Sequence, residues 1–208
     1  MKKEEIIIST AKTNTDKYNT YTSMITRHKE AVKHGFCFEA LLIDYAILED
    51  RLVAFLWAAG VMNDMDNFSF GNKNNKAQLR TLYNSYMKED KIPRLQNIGT
   101  KINVILSLID FSQKEYNGAD RYLLALHKGM NDLNLQKISE NLTLLKDWLK
   151  YRNEVIHGAM TKDIYALYEN IEEKAVQGLA YARVIDNEAK KLMRRDYIRK
   201  AVKMPIKK

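Results

Sequence analysis

Hydrophobic side chains recur every three to four residues along most of the chain, and this is the spacing of one face of an α-helix. The strongest run covers residues 38–59, where apolar residues occupy nearly every side, and it predicts a central helix. Only two prolines and eight glycines interrupt the 208 residues. The pattern predicts an all-α fold, an antiparallel helical bundle with extra short helices. Those helices are predicted at residues 16–33, 77–89, 97–112 and 119–128.

Two longer helices are predicted in the last third of the chain. The first extends from Ser139, a suitable N-cap, to Gly158, a suitable C-terminal stop. The second follows Thr161, an available N-cap, and extends as one long helix from Asp163 to about Lys200. Since the turn between them is short, the two helices should be antiparallel neighbours.

The length fits one domain with a sizeable core, so we predict a single helical domain over residues 1–208. It divides into an N-terminal helical extension (1–35), the bundle itself (36–200) and a basic flexible tail (201–208). Residues 61–76 are rich in asparagine and predict a loop. A connection of that length is either functional or simply mobile.

The composition limits the classes of site and compartment. Cys37 is the sole cysteine, which excludes an internal disulfide and suits a reducing cytoplasm. No His/Cys cluster and no glycine-rich phosphate loop stands out, so we expect neither a metal nor a cofactor. No run approaches the roughly 20 apolar residues needed to span a bilayer, and no membrane partner is expected.

Positive charge is concentrated at the C-terminal end. From Lys190 to Lys208 there are nine Lys or Arg and one acid, which gives +8 and equals the net charge of the whole chain. Such an end can contact phosphate backbones without reading sequence. The alternative is a solvated, partly frayed terminus. The predicted nucleic-acid contacts are Arg194, Arg195, Arg199 and Lys200.

The segment 149–158, Leu-Lys-Tyr-Arg-Asn-Glu-Val-Ile-His-Gly, carries the strongest candidate chemistry. Arg152 can hold a phosphate with its planar fork of donors, and His157 can exchange a proton near neutral pH. Together they suffice for cleaving RNA without a metal. The two are five residues apart, roughly 140° around a helix. Either Arg152 curls round, or the last turn deforms, or a second copy of the protein completes the site.

This segment resembles the R-x(4–6)-H signature of HEPN domains, a superfamily of small helical bundles. Four residues separate Arg152 from His157, and Asn153 stands where that signature usually has Asn, Asp or His. Many HEPN proteins are metal-independent endoribonucleases of toxin–antitoxin, phage-defence and CRISPR systems, and others have lost activity. The resemblance implies a homodimer in which the Arg and His of both protomers face each other across the two-fold axis.

Two other pairs match the loose pattern. Arg121 and His127 have five residues between them, and Arg27 and His34 have six. Context favours Arg152, which is followed by Asn, preceded by an apolar helix and succeeded by Gly after the histidine.

The resemblance implies a role for each site residue. His157 would take the proton from a ribose 2′-OH or lend one to the leaving 5′-oxygen, and Arg152 would hold the phosphate. Asn153 would orient His157 or contact the phosphate, and the products would be a 2′,3′-cyclic phosphate and a 5′-OH. Glu49 could assist, although an exposed or ion-paired role is the simpler interpretation. Ala159 occupies the position where toxins controlled by a partnered nucleotidyltransferase carry tyrosine, which argues against that control.

The sequence and this resemblance thus favour a cytoplasmic homodimeric endoribonuclease that acts on RNA in toxin–antitoxin or phage defence. An antitoxin or regulatory protein is the further partner that the resemblance allows. The main alternative is a non-catalytic HEPN-like bundle that binds a protein partner or nucleic acid. A third interpretation is a DNA-binding regulator that uses the basic C-terminal helix.

Overall fold

The fold is all-α, as the hydrophobic pattern predicts. The described ranges hold no β-strand, and strand-like contact is limited to an isolated antiparallel bridge between Met62 and Phe70. A computed structural model of the chain describes residues 14–63, 68–159, 161–163, 165 and 168–204. Within them the helices are α1 (Asn14–Lys33), α2 (Cys37–Ala58), α3 (Lys76–Met87), α4 (Ile98–Ser112), α5 (Arg121–Asn131), α6 (Leu135–Gly158), α7 (Ile171–Met193) and α8 (Tyr197–Ala201).

Helix α2 is the centre of the bundle. It packs chiefly along α7, while α1, α4 and α6 contact its other sides. Leu41, Leu48, Leu52 and Phe55 are fully buried, and so is the end of the helix around Ala58. This confirms the prediction that the run apolar on nearly every side is the central helix.

Helices α6 and α7 are antiparallel neighbours, as predicted. The Asn141 side chain donates to the Tyr181 carbonyl oxygen (3.3 Å), and the Trp148 indole N–H donates to the Lys174 carbonyl oxygen (2.8 Å). The later of the two α6 residues, Trp148, contacts the earlier of the two α7 residues, Lys174. The two helices therefore run in opposite directions.

The start of α6 differs from the prediction. Ser139 lies inside the helix, which begins at Leu135. Asn134 is the N-cap instead, and its side-chain oxygen accepts the Lys137 N–H at 3.0 Å. Asparagine caps as well as serine does, so the preference at one position could not decide between them.

The prediction of one long helix from Asp163 to Lys200 is wrong. Helix α7 begins only after Asn170, which has a left-handed φ of 62°, and the chain bends again between Met193 and Tyr197. After that bend Ile198 is fully buried, so the short α8 turns back onto the core. A straight continuation would have left this apolar side chain in water.

The predicted flexible tail is also partly wrong. Val202 and Met204 are buried in the core, and Val202 fastens the long loop after α2. Its carbonyl oxygen accepts the side-chain amides of Asn72 (3.3 Å) and Asn74 (3.0 Å). The rest of the predicted tail, residues 205–208, lies outside the described residues, as do residues 1–13 of the N-terminal extension.

None of the helices within the described ranges combines the length and the apolar character needed to cross a bilayer.

Candidate active site

Both candidate catalytic side chains lie in the last two turns of α6. The buried face of this helix is formed by Leu142, Leu145 and Leu149, and Arg152 continues the same stripe at its half-buried edge. His157 lies on the exposed side, one turn after Asn153. The helix ends at Gly158, as predicted, so this part of the site is a helix terminus.

Arg152 lies over the aromatic ring of Tyr45 from α2, with its guanidinium carbon 4.1 Å from the ring centre. One terminal nitrogen donates to the Asn153 side-chain oxygen at 3.1 Å, and the buried Nε has no hydrogen-bond partner among the described residues. No carboxylate in the described part of the chain forms an ion pair with Arg152. Burial lowers the pKa of this guanidinium. Arg152 is therefore a half-buried cation that an amide and an aromatic ring hold, and no acid neutralises it.

A charged pair, Glu49 with Lys101, lies on the same side of α2. The Glu49 carboxylate accepts a hydrogen bond from the Lys101 ammonium group at 2.6 Å. Lys101 is fully buried, and its nitrogen lies 4.6 Å from the centre of the Phe68 ring. Burial, with the nearby charge of Glu49, raises the pKa of Tyr45. Glu49 is thus ion-paired, which is the simpler of the two roles that its sequence position allows.

His157 and Arg152 do not converge within one protomer. His157 lines a shallow depression of about 280 Å³ together with Asn153, Glu154 and Lys162, and Arg152 is not part of that depression. No described residue hydrogen-bonds to the His157 ring. The structure agrees with the 140° separation calculated from the helix, and it keeps open the need for a second copy.

The other histidines all have structural partners. His28 is buried, and its Nε2 lies 2.8 Å from the Ala175 carbonyl oxygen and 3.0 Å from the Asp44 carboxylate. His127 lies 2.9 Å from the Lys114 carbonyl oxygen.

The pair Arg27 and His34 is likewise held by acids. Arg27 pairs with Glu39 at 2.6 Å, and His34 lies 3.5 Å from Glu30. Both rival matches to the loose motif thus have histidines with local structural contacts.

The basic C-terminal end is mostly engaged in structural contacts. Arg199, which we predicted to contact nucleic acid, is only 2% exposed. It donates to the carbonyl oxygens of Trp57 (2.6 Å) and Met62 (3.2 Å), lies 3.8 Å over the Trp57 ring, and burial lowers its pKa to about 10. It therefore acts as a cation at the C-terminal end of α2, where carbonyl groups lack helical partners.

The remaining predicted contacts lie nearer the surface. Arg195 pairs with Asp132, Lys200 pairs with Asp196 at 2.6 Å, and Arg194 is exposed. Arg199 could have been suspected from its apolar neighbours Ile198 and Val202, which are one helical turn apart.

The basic end and the candidate active site lie at opposite ends of the bundle. Asn134, just before α6, donates its N–H to Glu188 near the end of α7 at 3.3 Å. Arg152 comes eighteen residues later in the same helix, which corresponds to roughly 27 Å at 1.5 Å per residue. The two regions cannot bind the same phosphate group.

Tyr45 is the site residue that the sequence did not reveal, because its partner Arg152 comes from another helix. The described residues contain no group of three or more His, Cys, Asp or Glu side chains placed to hold a metal ion. Comparison of the chain with protein-family models, with curated proteins and with solved structures finds no match.

Proposed function

We propose that the protein is a metal-independent endoribonuclease of the HEPN type that acts as a homodimer. The observation that carries this proposal is the state of Arg152, a half-buried guanidinium without a carboxylate partner in the described chain, five residues before an exposed histidine in the same helix. A half-buried cation loses part of its hydration, and hydrogen bonds or a bound anion must compensate for that loss. A phosphate diester is an anion with oxygens that match the guanidinium fork.

In the proposed reaction a ribose 2′-oxygen attacks the adjacent phosphorus as the bond to the 5′-oxygen breaks. His157 of one protomer accepts the 2′-OH proton, and His157 of the other donates a proton to the departing 5′-oxygen. Arg152 stabilises the charge that grows on the non-bridging oxygens. Asn153, already bonded to Arg152, fixes the orientation of that guanidinium. The products are a 2′,3′-cyclic phosphate and a 5′-OH.

The surface beside Arg152 suits a second copy. The face of α2 that meets Arg152 carries four side chains at helical spacing: Phe38, Leu42, Tyr45 and Glu49. Leu42 is 40% exposed, and Ile156 of α6 is half-buried. A symmetric contact over this face would bring the His157 of the partner toward Arg152, which one helix cannot do alone.

The test is single-turnover cleavage of a mixed-sequence RNA in the presence of EDTA. Wild-type protein should cleave, and the ends should be a cyclic phosphate and a 5′-OH. His157→Ala should slow cleavage by at least about 100-fold, the usual contribution of a general acid or base. Arg152→Lys should slow it by about 100-fold or more while RNA affinity changes little, because lysine keeps the charge without the fork.

His127→Ala is the matched control, since its ring has a local carbonyl contact in the other motif match, and it should cleave at the wild-type rate. A requirement for divalent metal with 5′-phosphate ends would contradict the proposal. So would an inactive His127→Ala variant beside a fully active His157→Ala variant.

A non-catalytic bundle that binds a partner is the alternative. The observation in its favour is that Arg152 and His157 do not converge in one protomer. It predicts RNA or protein binding with the RNA left intact, and binding that survives His157→Ala.

A further inference from the structure

A groove of about 450 Å³ opens at the end of the bundle opposite Arg152, where α1, α2, α7 and α8 meet. This volume is in the range of sites that hold small molecules. Its depth comes from Ala54 and Ala58, two small side chains one turn apart on α2, and Met193 of α7 faces the same space. The groove therefore offers an apolar floor about the size of a planar ring system.

One wall of the groove is aromatic. Tyr18 and Tyr21 of α1 line it, and Tyr18 is 70% exposed. Arg51 lies over the Tyr21 ring with its guanidinium carbon 4.6 Å from the ring centre, and it is fixed there by Asp50 and by Asp186 (2.8 Å). An exposed ring beside a fixed guanidinium plane is a surface on which a nucleobase can stack.

The charge on the groove is positive. The lining side chains include three carboxylates, Asp50, Asp186 and Asp196, and five cations, so the positive surplus is two charges. Lys190 shares Asp186 with Arg51, so one carboxylate serves two cations. The five cations are Lys17, Arg51, Lys190, Arg195 and Arg199.

We infer that this groove binds a nucleotide, with the base stacked on Tyr18 and the phosphate held by Lys17 and Lys190. The surplus of two positive charges matches the charge of a phosphate monoester near neutral pH. The site is separate from the proposed ribonuclease centre, because the groove is lined by α1, α2, α7 and α8 and includes neither Arg152 nor Tyr45. The ligand is a free mononucleotide or one nucleotide of an RNA strand, because each presents a base beside a phosphate, a monoester with two charges in the free nucleotide and a diester with one in the strand.

The test is calorimetric titration of the full chain, which needs no cleavage activity. The ligands are AMP, UMP, adenosine, inorganic phosphate and a 2′-O-methyl RNA tetranucleotide, which cannot form a cyclic phosphate. AMP should bind, with or without tighter binding of the tetranucleotide, and adenosine and phosphate should each bind at least about tenfold more weakly than AMP. If the tetranucleotide binds more tightly than AMP, the source is a strand, and the reverse order indicates a free nucleotide.

Variants locate the binding. Tyr18→Ala should weaken AMP or tetranucleotide binding at least about fivefold, the lower end of what a stacked base contributes. The double variant Lys17→Ala/Lys190→Ala should weaken it about tenfold and reduce its salt dependence. Tyr165→Ala and Lys29→Ala are controls, an exposed aromatic and an exposed lysine outside the groove, and should bind as wild type does. Unchanged affinity in Tyr18→Ala, adenosine binding as tight as AMP binding, or no binding of any nucleotide at millimolar concentration would overturn the inference.

Discussion

Arg152 and Arg199 show how the partners of a residue decide its role. Each guanidinium lies over an aromatic ring, at 4.1 Å from the Tyr45 centre and 3.8 Å from the Trp57 centre. Arg199 donates to two backbone carbonyl oxygens and is buried, so it is a structural cation. Arg152 keeps an exposed contact to an amide and has no acid in the described chain. Only the second arrangement leaves an arginine ready for an incoming phosphate.

The buried pair His28 and Asp44 should make stability depend on pH. The ion pair with Asp44 raises the pKa of His28, and burial raises the pKa of Asp44. Both shifts mean that the folded state binds protons more strongly than the unfolded state. The stabilisation from His28 is therefore complete below its unfolded pKa of 6.5 and is lost as pH rises through the raised folded value.

The free energy of unfolding should accordingly fall as pH rises from 6.5, by up to about 1.4 kcal/mol per pH unit. Urea titrations at pH 6, 7 and 8 measure this slope. His28→Gln should flatten it, while His34→Gln, which changes an exposed histidine just after the same helix, should leave it unchanged. The same slope in wild type and His28→Gln would refute the role of the pair.

At the scale of the elements, Gly178 sets how closely α7 crosses α2. A Cβ atom at this position would lie 2.4 Å from a carboxylate oxygen of Asp44 and 2.6 Å from its Cβ, both closer than atoms can approach. Alanine is the better helix former by about 1 kcal/mol. Overpacking in a core costs about 1–3 kcal/mol, and here it would also disturb the ion pair of Asp44.

We therefore expect Gly178→Ala to destabilise the protein by about 1–2 kcal/mol, measured by urea unfolding at pH 7. Val176→Ala changes an exposed position of the same helix and should be within about 0.5 kcal/mol of wild type. A more stable Gly178→Ala protein would mean that helix propensity outweighs the contact.

The sequence predicted the helices better than their ends. Periodicity located α2 and the antiparallel pair α6 and α7, because their apolar faces are long and regular. It missed the bend before α8, because Arg194 and Arg195 do not break a helix by themselves. The bend exists because Ile198 and Val202 reach the core on the far side of α2, and that is a tertiary cause.

At the scale of the whole molecule, the proposed active site requires a second copy, and that assembly stays a prediction. We expect a dimer of two-fold symmetry, measured by light scattering at tens of micromolar. Leu42→Asp should shift the protein to monomer and lower RNA cleavage together, because a charge on the proposed contact face must be desolvated. The control is Leu144→Asp, which changes a more exposed leucine on the solvent side of α6 and should stay dimeric. A fully active monomer would contradict this assembly.

The site could be predicted from the sequence only as far as one helix extends. Arg152, Asn153 and His157 were chosen as candidates because they are neighbours in sequence, and their catalytic role stays a prediction. The sequence did not reveal Tyr45 or the pair of Lys101 with Glu49, since these residues approach the end of α6 only when α2, α4 and α6 pack together. The prediction that Arg199 contacts nucleic acid failed for the same reason, because the carbonyl groups that bind Arg199 belong to residues distant in sequence.

The contact between Arg199 and Trp57 can form only late in the synthesis of the chain. The two residues are 142 positions apart, and a ribosome adding about 5–20 residues per second needs roughly 7–30 s to make the chain between them. Through that interval the carbonyl groups at the end of α2 have no guanidinium to bind, and Asn72 and Asn74 lack the Val202 carbonyl oxygen. The groove lined by α1, α2, α7 and α8 forms in the same late step. Maturation of this end of the protein is thus delayed until residues 197–204 have left the ribosome, whereas α1 can dock on α2 much earlier.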